Sequence, residues 1–465
     1  MIAAHVAPLR ADDTTNMAPV TKFVVRATPE PVPALKYRLL PSFLDLKPGN
    51  AAIVYTKIAV EFQGPLSDQA REIIEKIADW QEVPAEKLPR AEVEAALAMH
   101  AERIKEAGRA ARMETCDWQL PVRGDKPWTI MLPEVQGIRS VARVVILRSR
   151  LAIADGRFDD ALYDLQTTFA MARHVSQGPT LVNGLVGIAI SGIGFREVEG
   201  LMRAPNAPNL YWAIMGLPRP WIDLRPAMDA ETHFIDFSFP KLQDVDSARY
   251  SADQWREQLV GVAANMASLL EIAPPASAVA PEYIAAGFAI KTYPRGKKLL
   301  IAAGIPVADV EKMPVAEVAL RGMMQDYRRV RDENFKWSYV PYAQRGDGPK
   351  RAAKEIENAT AHVEGYPFVS LLSAVSAVSL AQVRSERLVA IHAAVEALRI
   401  HAAAHGGQLP ARLSDVTLAP VLDDPLTGKQ FGYTVTGRTA AITSPAPAGL
   451  DPAHFALEYE LTIQP

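Results

Sequence analysis

Along residues 140–204 the apolar positions return with the period of a helix. Val141-Ala142-Arg143-Val144-Val145-Ile146-Leu147 runs on through Leu151 and Ala154 to Asp155-Gly156, then restarts as Phe158-Asp159-Asp160-Ala161-Leu162. This pattern predicts a helix, a glycine stop and a second helix. Leu162, Leu165, Phe169 and Ala172 share one stripe of the second. Gly156 suits the left-handed residue that ends a helix, and Asp159 and Asp160 suit the positive start of the next. Such a hairpin must dock its apolar face on neighbours. The run 181–195 follows, rich in valine, isoleucine and glycine. It is too short and interrupted for a membrane span, which needs about 20 mostly apolar residues. We expect a helix buried on most sides. Its glycines have neither phosphate-loop nor dinucleotide spacing.

Elsewhere the pattern is plainer. Residues 12–33 are polar and proline-bearing and are expected to be disordered or extended, with order beginning near Ala34. Asn50 suits the cap of a helix over 51–62, 68–80 reads as another, and 90–112 as one long amphipathic helix. Prolines at 205, 208, 218 and 220 divide the next stretch into turns around a helix near Asn209. Its aromatics and arginines suit either a ligand or the locking of these turns to the helical core, and we take the lock. Residues 257–346 return to helical pattern, interrupted at Pro274-Pro275 and at Pro294-Arg295-Gly296-Lys297-Lys298. Residues 346–354 read as an exposed charged linker. Leu388, Ile391, Val395, Leu398 and Ala402 define a stripe on a long helix that Gly406-Gly407 stops before Pro410. Phe431, Tyr433 and Val435 then alternate with smaller or polar residues, and Thr436-Gly437 allows a tight turn. The expected hairpin pairs Phe431 with Ile442 and Tyr433 with Ala440. Phe455, Leu457, Tyr459, Leu461 and Ile463 supply a third strand with one buried face.

With 465 residues the chain exceeds a usual single core, and 49% hydrophobic against 22% charged residues is ordinary for a folded protein. Lysine plus arginine number 50 against 53 acids, a net charge of −3, so no global field favours nucleic acid or an anionic membrane. Tyr327-Arg328-Arg329-Val330-Arg331 and Phe335-Lys336-Trp337 mix bases with aromatics, but without excess charge or a recognisable module we expect no nucleic-acid partner. No integral membrane segment is expected either. The single cysteine, Cys116, excludes an intrachain disulfide and a cysteine zinc cluster. It lacks the local pattern that activates a thiol and reads as structural.

Three groups of residues carry candidate chemistry. Asp229, Glu231 and His233, with Asp236 close by, mix carboxylates with an imidazole, as metal binding or acid–base chemistry requires. Glu231 and His233 point to different helix faces, so the default is a solvated edge. His401 and His405 lie one turn apart, a spacing that can bind zinc. The glutamate of a His-Glu-x-x-His motif is absent, and histidines in a last turn also favour the helix dipole. Asp423 and Asp424 form a short acidic loop, taken up below.

The stretch Ala154-Asp155-Gly156-Arg157-Phe158-Asp159-Asp160-Ala161-Leu162 resembles the inter-helix turn of a tetratricopeptide-type repeat, without a recurrence at about 34 residues. Leu39-Leu40-Pro41, Lys47-Pro48-Gly49-Asn50-Ala51-Ala52, Asn206-Ala207-Pro208-Asn209-Leu210-Tyr211-Trp212-Ala213, Leu217-Pro218-Arg219-Pro220, Phe335-Lys336-Trp337 and Asp424-Pro425-Leu426-Thr427-Gly428 are similar to a planctomycete protein family of unknown function. Members are often exported, so the resemblance implies an exported or periplasmic protein and brings no activity. The amino terminus lacks the basic start and the apolar centre of roughly 7–15 residues of a secretory signal. Leu9-Arg10-Ala11 before Asp12-Asp13 suits the tail of a signal whose front was lost to a misplaced start codon. From about Glu386 the chain also looks like the globular part of a type II pseudopilin: long helix, His405-Gly406-Gly407-Gln408-Leu409-Pro410, Asp424-Pro425, then strands. That resemblance implies calcium at Asp423 and Asp424. The apolar pilin helix and its processing site are missing, which counts against polymer assembly.

The expected architecture is mainly α: a disordered or truncated targeting segment over 1–30, repeat-like helical hairpins over 31–370, and a pilin-like α+β part over 371–465, with a three-stranded antiparallel sheet. The leading functional expectation is a noncatalytic protein-binding or scaffolding protein of the cell envelope, holding a protein partner in a helical groove. The alternatives are a hydrolase whose site is assembled from distant residues such as Asp229, Glu231 and His233, and a pseudopilin-like secretion component. No cofactor is expected beyond the calcium that the resemblance implies.

Overall fold

A computed structural model describes residues 20–63, 76–123, 132–269, 280–361, 368, 372 and 375–464. The protein is mainly helical, with a small sheet formed largely by its carboxyl-terminal strands. In chain order the longer helices are α1 (Ala51–Gln63), α2 (Arg90–Met99), α3 (Ala101–Ala110), α4 (Pro133–Ala154), α5 (Phe158–Ser176) and α6 (Leu181–Arg203). They continue with α7 (Arg225–Thr232), α8 (Ala252–Leu269), α9 (Pro281–Ala302), α10 (Val315–Phe335), α11 (Gly348–Ala361) and α12 (Val375–Ala404). The strands are β1 (Thr21–Arg26), β2 (Lys47–Asn50), β3 (Met113–Thr115), β4 (Gly432–Thr436), β5 (Thr439–Ser444) and β6 (Leu457–Gln464).

Two compact units emerge. The larger is built on Arg10–Gln119, Met131–Ala227 and Leu380–Pro465, the smaller on Met228–Ser379 with Leu120–Ile130. From Leu380 onward α12 groups with α4, α5 and α6 in the larger unit.

In the larger unit α4 and α5 form the expected hairpin around Gly156, whose φ of +71° is the left-handed conformation the turn requires. Leu162, Leu165, Phe169 and Ala172 are all buried. Phe169 meets Phe195 of α6 edge-on at 5.0 Å and Trp221 at 5.4 Å. Trp221 is fully buried and donates through Nε1 to Ser191 Oγ, so the proline-rich turns are locked to the core. By length and composition α6 is apolar enough to cross a membrane, and here most of it is buried within the unit. Its glycines explain the fit. A Cβ at Gly187 would lie 2.7 Å from Ala172 O on α5, whereas one at Gly192 would meet nothing within 4 Å.

The helix α12 is buried more completely than its stripe suggests. Ile391, His392, Ala393, Ala394, Val395, Glu396, Ala397 and Leu398 have no exposed surface, and together they cover every face of the helix. Asn50 caps α1 as expected, accepting from Ala52 N at 3.1 Å and also from Asp117 N at 2.9 Å.

Several expectations are corrected. Order begins before Ala34: β1 pairs parallel with β6, Thr21 opposite Tyr459, and Phe23 and Val25 are buried while Lys22, Val24 and Arg26 face out. The sheet is thus four-stranded and mixed, in the order β1-β6-β5-β4, rather than three-stranded and antiparallel. Tyr433 pairs with Ile442 and Val435 with Ala440, two residues from the expected register. The turn residues are Gly437 and Arg438, which puts glycine, at φ +60°, first in the turn as a II′ hairpin requires. The shift of two leaves each side chain on its expected face. Phe455 ends a short helix, Pro452–Phe455, so the third strand starts at Leu457.

Residues 90–112 form two helices that part at His100, which is buried beside Arg103. The expected interruption at Pro294 lies inside α9, where Gly296 packs against α10 at Gly322 so closely that a Cβ on Gly322 would stand 2.3 Å from Gly296 Cα. The expected linker is largely α11, which buries Ala352 and ties Glu355 to Arg329 at 2.9 Å. Of the expected helix over 68–80, residues 76–80 are helical and the rest lies outside the described residues, as does Pro274-Pro275.

If close packing on α5 decides the two glycines, Gly187→Ala lowers stability by about 1–3 kcal/mol through overpacking. Gly192→Ala raises it by about 0.5–1 kcal/mol through helix propensity. Urea unfolding midpoints measured side by side check both signs.

Candidate functional site

A groove of about 920 Å³ in the smaller unit has the dimensions of a binding site. It lies between α8, α9 and the start of α10. Small and aliphatic residues make its floor: Leu259 and Val260 from α8, Ala285, Ala286 and Ala289 from α9, Val315 and Ala316 from α10. The groove exists because α9 presents alanine where a larger residue would fill the space. Asp253, Glu257 and Glu282 stand along it with one opposing cation, Arg256. Tyr283, Ala286 and Ile290 fall on one stripe of α9, with Tyr283 74% and Ile290 75% exposed. Apolar surface therefore continues out of the groove beside Ala286. Such a site can seat an apolar segment and attract cations around it, but it contains no nucleophile–base pair.

The residues singled out from sequence lie elsewhere. His233 Nδ1 donates to Asp229 O, 2.9 Å away, and stands 3.9 Å from Asp229 Oδ1, both side chains largely exposed. Glu231 turns into the protein near Tyr327, and burial lifts its carboxyl to about 7. Among the described residues no hydrogen bond or ion pair joins Glu231 to His233 or Asp229. Asp236 instead faces Arg331 at 3.6 Å.

His401 and His405 stack with ring centroids 4.0 Å apart. His405 Nδ1 lies 2.7 Å from His401 O, while Gly407 N donates to Ala402 O beyond Gly406 at φ +63°. That is a capped helix end. Burial, and then His405, lower the pKa of His401. Among the described residues no group of three His, Cys, Asp or Glu side chains is placed to hold a metal.

Asp424 is almost fully buried and occupied. Arg387 Nε donates to Oδ1 at 2.9 Å, Leu426 N to Oδ1 at 2.9 Å, and Ser444 Oγ to Oδ2 at 2.6 Å. The Arg387 guanidinium is therefore the counter-charge of Asp424, and Asp423 is exposed beside it. Cys116 is buried, and burial followed by Asp117 pushes its thiol up to about 12, which leaves it no thiolate for catalysis at neutral pH.

Sequence reasoning missed the buried polar network on α12. Glu396 and Arg399 pair at 2.8 Å with almost no exposure. Arg399 also donates to Arg26 O, Thr28 Oγ1 and Ala207 O. His392 Nε2 lies 3.0 Å from Glu199 Oε1, which also accepts from Tyr459 at 3.3 Å. Glu386 accepts from Trp221 N, and burial raises its carboxyl to about 7. Charged residues at successive turns were the only signal, and it reads equally as a solvated face. The groove left still less, since alanines on three separate helices carry no motif.

Comparison of the chain with protein-family models, with curated proteins and with solved structures finds no match.

Three measurements check these assignments. Asp424→Asn should cost about 3–5 kcal/mol by leaving Arg387 buried without its counter-charge. Calcium should leave the unfolding midpoint of the native protein unchanged, whereas a calcium-dependent rise would make the loop a cation site. For Glu386 the sign follows from its raised pKa: the folded state holds the proton more tightly than the unfolded state. The resulting stability is complete below about pH 4.5 and is lost as pH rises toward about 7, by up to about 3 kcal/mol. Glu386→Gln should flatten that fall in pH-dependent denaturation.

Proposed function

We propose that this is a noncatalytic binding or scaffolding protein that holds a polypeptide segment of a partner in the groove between α8, α9 and α10. The observation that carries the reading is the groove's composition: an apolar floor of small side chains, a rim with three acids against one base, and an apolar stripe running out of it. The occupant that fits is an apolar, narrow segment flanked by lysine or arginine. The hydrolase reading has less support, because its acids and imidazole are dispersed. The fold description that accompanies the proposal is of repeat-like hairpins with a pilin-like carboxyl-terminal part, and the cell-envelope setting rests on the resemblance to exported proteins. A pseudopilin-like secretion role draws only on that second resemblance.

The test places a photo-crosslinking amino acid at Ala286 of the full-length protein in its source cells, with a second at exposed Lys105 in the larger unit as control. The expected result is a reproducible envelope protein crosslinked from position 286 alone, through a segment bearing basic residues. Its capture should fall about ten-fold or more when Val315→Glu is added without a change in unfolding midpoint. Crosslinks no different from those at position 105 would contradict the reading.

A further inference from the structure

The arginines of α4 recur on one face, at 139, 143 and 150, and α6 adds Arg196 beside them. This cluster belongs to the larger unit and is independent of the groove. Arg150 is partly satisfied, donating to Gln81 O at 2.5 Å and lying 3.3 Å from Glu197 Oε2. Arg196 reaches Glu82 at 2.7 Å, a pair exposed enough to be strongly screened. Arg139 and Arg143 are half-buried, and no carboxylate among the described residues pairs with either. The Nε atoms of Arg139, Arg143 and Arg150 are buried with no hydrogen-bond partner. Burial, and then Arg139 and Arg196, pull Arg143 below the usual arginine pKa. The one buried acid nearby, Glu197, is raised to about 7 by burial, so at neutral pH it supplies only part of a negative charge.

Arg139 and Arg143, close together without a counter-charge of their own, repel one another and forfeit hydration, and both costs fall when an anion enters. A guanidinium is a planar fork of donors, and an anion with several oxygens can accept from more than one fork at once. We propose that Arg139, Arg143 and Arg196 form an oxyanion site for a phosphate-class ligand. The chemistry is shared by soluble phosphates and phospholipid headgroups.

The full-length protein would be titrated calorimetrically with inorganic pyrophosphate at fixed ionic strength against a chloride blank, and floated with phosphatidylglycerol or phosphatidylcholine vesicles. Pyrophosphate binding that weakens about ten-fold or more in Arg143→Gln and in Arg139→Gln, but persists in Lys105→Gln, supports the site. Flotation with phosphatidylglycerol alone, lost in the same variants, also supports it and assigns the oxyanion to a headgroup. Circular dichroism confirms that each variant is folded. Absence of both binding and flotation, or binding unchanged in the two folded arginine variants, overturns the proposal.

Discussion

A helix buried on every side cannot leave an ionisable side chain to water, and α12 carries five that are nearly inaccessible: Arg387, His392, Glu396, Arg399 and His401. Each of the first four meets a partner from another part of the chain. Arg387 meets Asp424, His392 meets Glu199, and the pair Glu396–Arg399 meets Arg26, Thr28, Ala207 and the backbone N–H of Leu210. An apolar helix could slide or rotate in its socket at little cost, because apolar contacts have no direction. Hydrogen-bonded charges cannot, since losing one partner of a buried pair costs about 3–5 kcal/mol. The network therefore sets the depth and rotation of α12 in the larger unit.

Much of that unit follows from this constraint. Asn209 donates to Glu396 O and accepts from Tyr211 N, while Tyr211 reaches Pro420 O and Trp212 reaches Glu30, so residues 206–212 act as a socket for the helix. Arg399 binds the chain as it leaves β1, which brings that strand to the edge of β6. Asp424 gathers Arg387, Ser444 and Leu426 N around one carboxylate, while its carbonyl accepts from Gly428 N to close the turn. Stretches that looked like sequence signatures are thus structural joints. The smaller unit is arranged differently. Its helices α9 and α10 cross closely at paired glycines, and the alanines of α9 leave the groove open.

What could be seen in the sequence was local. The α4–α5 hairpin, the Asn50 cap and the glycine-rich packing of α6 depend on residues within a turn or two of one another, and each appears where its pattern indicates. The elements that were misjudged depend on distant partners. β1 is a short alternation among prolines and becomes a strand only because β6, from the far end of the chain, offers a free edge. The faces of α12 bearing Glu396 and Arg399 resemble solvated surface until Arg26, Thr28 and Ala207 supply their bonds. The acidity of Asp424 is visible in the sequence, and the arginine opposite it is not. His401 and His405 have zinc spacing, yet their geometry is that of a helix end.

The account stands on α12 being the most deeply held element of the larger unit. Native-state hydrogen exchange tests this most directly, following amides of residues 387–402 with increasing denaturant. The account predicts that they exchange only through global unfolding of the unit, together with amides of α6 and β6. Exchange of α12 by an earlier, local opening while α4, α5 and α6 remain protected would contradict it.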